Sequence, residues 1–100
     1  MTTVTVQVAP DHPAFAGHFP GQPLLPGVSL LAEVLEAVLD DNALALRIGA
    51  TPRLAVAKFL APVRPGAQLT VRFDATPRGL RFDVHEGDRI AATGRFEAGP

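Results

Sequence analysis

Eleven residues from Gly17 to Gly27 (Gly-His-Phe-Pro-Gly-Gln-Pro-Leu-Leu-Pro-Gly) hold three prolines and three glycines, a density that neither a helix nor an interior strand accommodates. The stretch must be a stiff loop. Its one titratable side chain is His18, and its last two residues, Pro26 and Gly27, run directly into an apolar segment with helical spacing. The first N–H groups of a helix have no partner within it and carry partial positive charge, so the backbone at Gly27 and Val28 can hold a polarised oxygen where the loop ends. An imidazole base is thereby brought to the positive end of a helix.

That helix runs from about Val28 to Asp41. At about 100° per residue, Val28, Leu31, Leu35, Val38 and Leu39, flanked by Leu30 and Val34, make a wide apolar face. Ser29, Glu33, Glu36 and Asp40 fall on one polar stripe. Residues 43–52 fit a helical extension or a strand, and with Gly49 and Pro52 in the run they read as irregular. The remainder alternates with the two-residue period of half-buried strands: Thr3 to Val8 before the loop, then Arg53 to Leu60, Leu69 to Asp74, Leu80 to His85 and Ile90 to Phe96. Pro62-Val63-Arg64-Pro65-Gly66, Pro77-Arg78-Gly79 and Glu86-Gly87-Asp88-Arg89 punctuate them as turns. The expected architecture is α+β in one domain over residues 1–100, a single long helix wrapped by an antiparallel meander.

Charge and composition narrow the function. With 47% hydrophobic residues and a formal net charge of −1, the chain is globular, and its nine basic residues, eight arginines and Lys58, form no run that would track a nucleic-acid backbone. Nucleic acid is not the expected partner. Cysteine is absent, which removes disulfides and thiolate metal ligands and fits a reducing compartment. The alternating start reads as a strand and not as a signal peptide, and no apolar run approaches membrane-spanning length. These features place the chain in the cytoplasm, away from membranes. At 100 residues its own core is small, so association with a second subunit is expected.

Residues 17–28 resemble the GHFPGxPxxPGV signature of the 3-hydroxyacyl-[acyl-carrier-protein] dehydratases of the hot dog fold. Residues 58–69, Lys-Phe-Leu-Ala-Pro-Val-Arg-Pro-Gly-Ala-Gln-Leu, resemble the same family's second signature, KFxxPVxPGDQL. Two signatures in the right order, about forty residues apart, are far more specific than either alone. The resemblance covers roughly residues 12 to 97, without a counterpart of the N-terminal helix and strand of longer members. It implies a hot dog fold, in which a curved antiparallel sheet wraps a central helix. It also implies a homodimer or heterodimer with another hot dog subunit that completes an acyl tunnel. The implied reaction is dehydration of a 3-hydroxyacyl thioester on acyl carrier protein to the trans-2-enoyl thioester, with no metal and no redox cofactor. In that scheme His18 removes the C2 proton, Gly27 and Val28 hold the thioester carbonyl, and Phe19, Phe15 and Phe59 are core residues or tunnel lining.

The family acid, fourteen residues after the histidine, is replaced here by Ala32. Glu33 is one residue late and turned by about 100°, whereas Glu36 lies about 40° away in angle and one turn along the axis. Glu36 is therefore either a relocated acid or part of a solvated stripe, with Glu33 as the second candidate. His12 and His85 read as ordinary turn and surface residues. Three classes follow: a dehydratase, a non-catalytic or half-catalytic hot dog subunit that complements a partner, and, least favoured, a thioesterase. Arg64, Arg78 and Arg81 are the candidates for docking an acidic carrier protein.

Overall fold

The computed structural model describes residues 2–11 and 25–99; His12, Phe15, His18 and Phe19 lie outside the described residues. The elements are β1 (Thr2–Gln7), α1 (Gly27–Leu39), α2 (Asn42–Ile48), β2 (Arg53–Phe59), β3 (Gln68–Thr76), β4 (Gly79–Glu86) and β5 (Arg89–Glu97). All neighbouring strands are antiparallel, in the order β1-β3-β4-β5-β2. Only β3, β4 and β5 form a consecutive meander. The strand after the helices crosses to the far edge beside β5, so the simple meander expected from the strand sequence is corrected.

The core sits between one face of this sheet and the helices. Leu69, Val71 and Phe73 on β3 and Leu80, Phe82 and Val84 on β4 are all buried at two-residue spacing, which is why the alternation of the sequence reads so directly into the sheet. Phe82 and Phe96 meet with ring centroids 5.2 Å apart. Gly94 makes that contact possible, because a Cβ there would come within 2.4 Å of the Phe82 ring and 2.6 Å of the Val56 carbonyl oxygen. Tight turns close the hairpins: Thr76 faces Gly79 across Pro77-Arg78, and Gly87 takes a positive φ of 61° between β4 and β5.

The second helix corrects the irregular reading of residues 43–52. Asp41 caps it, its carboxylate oxygen accepting the Leu44 N–H at 3.1 Å, and Leu44 and Ile48, one turn apart, are both buried. Gly49, at a φ of 72°, ends it. The long apolar face of α1 is also rotated from expectation. Leu30, Val34 and Val38 form the buried line, with Leu31, Leu35 and Ala37 packed beside it, while Val28 is 82% and Leu39 55% exposed. The apolar arc of α1 is wider than one sheet covers. The strand β2 shows the same surplus, for Leu54 and Val56 are exposed along the sheet edge, and Phe59, whose ring lies against the start of α1, is still 50% exposed.

The cap of α2 is directly testable. Asp41→Ala should lower unfolding free energy by about 1 kcal/mol, the ordinary worth of such a cap, with an unchanged urea m-value. An unchanged midpoint would show that burial of Leu44 and Ile48 alone holds the helix.

Candidate active site

The start of α1 lies at the base of an open cleft of about 620 Å3, whose walls include Leu25, Gly27, Val28, Phe59, Leu60 and Val63. Two sets of backbone bonds fix its shape. The Leu25 N–H donates to the Val63 carbonyl at 2.7 Å, tying the approach to the helix to the turn after β2. The N–H groups of Leu60 and Ala61 both donate to the Ala91 carbonyl, at 2.8 and 3.2 Å, anchoring that turn to β5. The described end of the first signature, at Leu25, is thus fastened to the second, and the second to the sheet.

Pro26 is the N-cap residue, and among the described residues no side chain caps this end of α1. The first ladder bond runs from the Leu30 N–H to the Pro26 carbonyl at 3.0 Å. The N–H groups of Gly27, Val28 and Ser29 therefore precede the helical ladder, and their partial positive charge is available to an oxygen in the cleft. No acidic residue in the first turn competes for them. The Phe59 ring lies against this backbone, so close that a Cβ on Gly27 would sit 2.7–3.0 Å from three of its carbons. Glycine at position 27 lets an aromatic wall approach the helix start.

Of the residues singled out from the sequence, Gly27 and Val28 meet in this cleft with Phe59. Glu33 is half-buried and Glu36 exposed on the polar stripe of α1, at about 9 and 13–14 Å along the axis from Gly27 by helical rise. Neither lines the cleft. The replaced family position, Ala32, is exposed. His18 and Phe19, which precede the helix, lie outside the described residues. Sequence reasoning did not single out Leu60 and Val63 as cleft walls, although both fall inside the second signature, where Pro62 stops the strand and turns them back over the helix start. His85 is half-buried on β4, opposite Ile90 and Thr70.

The contact between Gly27 and Phe59 can be isolated by a double-mutant cycle. Gly27→Ala should destabilise by about 1–2 kcal/mol as the ring is displaced, and in a Phe59→Ala background that cost should fall to near zero. Additive effects in urea unfolding would show that the glycine is required by something other than the ring.

Residues 1–95 match the family model described as ApeI dehydratase. The 3-hydroxyacyl-[acyl-carrier-protein] dehydratase FabZ of Chlamydia trachomatis serovar L2 is 40% identical over 68 residues, which are 62% of this chain and 44% of that protein. The chain thus spans less than half the length of that curated relative. Among solved structures, the dehydratase heterocomplex ApeI:P from Xenorhabdus doucetiae superposes with a TM-score of 0.77 at 29% identity, over 95% of this chain and 83% of the other. The fluoroacetyl-CoA-specific thioesterase FlK shares the fold alone, with a TM-score of 0.58 at 17% identity over 95% of this chain and 80% of the other. Two signatures in the sequence, a family match along nearly the whole chain and an ApeI-type structural neighbour agree: the chain belongs to the ApeI-like dehydratase family of hot dog proteins.

Proposed function

We propose that this chain is a 3-hydroxyacyl-carrier-protein dehydratase subunit acting in fatty acid or fatty-acid-like synthesis. The observation that carries the reading is the uncapped start of α1, with its donors at the base of an apolar cleft and the His18 loop immediately before it in sequence. In this scheme the Gly27 and Val28 N–H groups bind the thioester carbonyl oxygen, and His18 accepts the C2 proton as enolate-like charge gathers on that oxygen. The C2–C3 double bond forms as the C3–O bond breaks, and a carboxylic acid delivers the proton with which the hydroxyl leaves as water. Substrate and product are at the same overall oxidation level, so the elimination draws on no redox cofactor. We assign the acid to Glu36, from the facing subunit's helix.

A second subunit is part of the proposal. Among the described residues β2 is an edge strand with one neighbour, β5, and it exposes Leu54, Val56 and Phe59 beside the uncovered apolar arc of α1. Such an edge and arc are stabilised by pairing with a second hot dog subunit, either another copy or a different chain. Light scattering should give at least a dimer at micromolar concentration, and a stable monomer would count against the scheme. Among the described residues no helix is long and apolar enough to cross a membrane, and we place the enzyme in the cytoplasm with its carrier-bound substrate.

The second reading, a subunit that completes another's site, rests on Ala32 at the family acid position. One set of assays separates the two. With a 3-hydroxyacyl carrier-protein substrate, His18→Ala and Glu36→Gln should each lower turnover by about 10²–10⁴-fold, with folding retained. Glu33→Gln should be nearly silent. Loss of activity in Glu33→Gln alone would transfer the acid to that residue, whereas inactive wild type that gains activity on mixing with an acid-bearing hot dog partner would establish the complementing subunit. For carrier docking we favour Arg64, which follows Val63 of the cleft wall, over Arg81, which faces Asp83 at 3.5 Å, and Arg78, which lines a separate recess. Arg64→Glu should therefore raise KM at low salt more than Arg81→Glu does.

A further inference from the structure

We propose that the pole formed by the end of α2, the β3–β4 turn and the last residues of β5 is a binding site for a phosphate group. A recess of about 430 Å3 is lined there by Arg47, Arg53, Arg78 and Glu97, among others. A smaller one of about 260 Å3 adjoins it, sharing Arg78 and Glu97 and adding Thr76 and Arg95. Four of the chain's nine basic residues thus gather around one carboxylate, although the formal net charge of the whole chain is −1. Arg53 opens β2 and Phe59 closes it, so this pole lies about 20 Å along the strand from the acyl cleft. It is a separate place on the surface.

Three of the four arginines are held in position by oxygen partners. Glu97 accepts a hydrogen bond from Arg53 at 2.6 Å and lies 3.3 Å from Arg95 Nε, and the bond from Arg53, with the charge of both guanidiniums, holds its carboxyl below the usual carboxylate range. Arg47 donates through Nη2 to the carbonyl of Thr76 and, at 3.3 Å, to that of Gly79. Arg95 also stands opposite Arg81 in the β4–β5 register, and Arg81 is paired there with Asp83 at 3.5 Å. The Arg78 side chain, at the tip of the turn, makes no hydrogen bond or ion pair among the described residues.

Each guanidinium offers five N–H donors in a planar fork, and one shared carboxylate and two carbonyls use few of them. A lone carboxylate ligand would bring one charge and two oxygens to a cluster with a local excess of three positive charges. A phosphate monoester or pyrophosphate brings two or more charges and at least three acceptor oxygens, the geometry that arginine forks match in bidentate fashion. The chemistry therefore favours phosphate.

The test uses the full chain with inorganic pyrophosphate as probe, followed by amide chemical shifts and calorimetry, against sodium chloride at matched ionic strength. Saturable shifts at Arg78, Gly79 and Glu97 are expected. Arg78→Gln should weaken binding by about fivefold or more, while Arg89→Gln, whose arginine pairs with Glu86 elsewhere, should leave it unchanged. Because the Arg78 side chain makes no hydrogen bond or ion pair among the described residues, and its carbonyl, which accepts the Ala98 N–H at 3.0 Å, is kept in Arg78→Gln, the variant should stay folded, as unchanged shifts in the core would verify. Vesicles containing phosphatidate, compared with phosphatidylcholine alone, separate the sources of the phosphate. Co-sedimentation that depends on Arg78 marks a lipid headgroup, and its absence with pyrophosphate binding retained marks a soluble phosphate compound. An equal response to chloride, unaltered binding by Arg78→Gln, or a polyglutamate peptide that binds the pole more tightly than pyrophosphate would each overturn the assignment.

Discussion

The approach of the Phe59 ring to the backbone of Gly27 is the contact on which the rest of the site depends. Without a side chain at position 27 the ring lies directly on the start of α1, and the Leu25 to Val63 and Leu60 to Ala91 bonds hold the two chain segments in that relation. The helix start therefore cannot move independently of the sheet. Its free donors keep one orientation against one wall, which is the condition for an electrostatic site that needs no rearrangement when charge develops on a bound oxygen.

The strands were legible in the sequence because one face of the sheet is buried and the other is not. Leu69, Val71, Phe73, Leu80, Phe82 and Val84 announce their faces by alternation alone, and a shift of one residue would turn all of them to solvent. The second helix was not legible in the same way. Ala43-Leu44-Ala45-Leu46 alternates as a strand would, and the decisive signal was the cap, an aspartate three residues before a leucine that buries one turn ahead of Ile48. Leu46, the residue that made the pattern look like a strand, is 84% exposed.

The site was legible in its backbone part and less so in its side chains. Gly27 and Val28 follow from the position of Pro26, since proline at a helix boundary marks where donors go unpaired. Leu60 and Val63 were hidden because a strand pattern says which residues alternate, not where a proline folds the strand's end over a helix. The orientation of α1 was hidden for a related reason. Apolar periodicity defines an arc, and Val28, Leu31, Leu35 and Leu39 belong to that arc as much as Leu30, Val34 and Val38 do. Which half meets the sheet depends on the crossing of helix and strands, a tertiary property.

The uncovered half of that arc bears on how such a site can tolerate Ala32. In a protomer that kept every group of the reaction on its own loop and helix, an acid moved by one turn would be out of reach. If the base and the acid come from facing subunits, what must be conserved is the distance across the interface, and that distance depends on how two helices and two β2 edges settle against each other. A wide apolar arc permits more than one such setting, because the half-buried Leu31 and Leu35 and the exposed Leu39 repeat at one-turn intervals beside the buried line of the helix. A slide of one turn, about 5.4 Å, would bring Glu36 to the level at which the family places its acid, while the same kind of apolar contact is kept. On the proposed scheme, the departure at position 32 and the surplus of apolar helix surface would both follow from a single interface geometry.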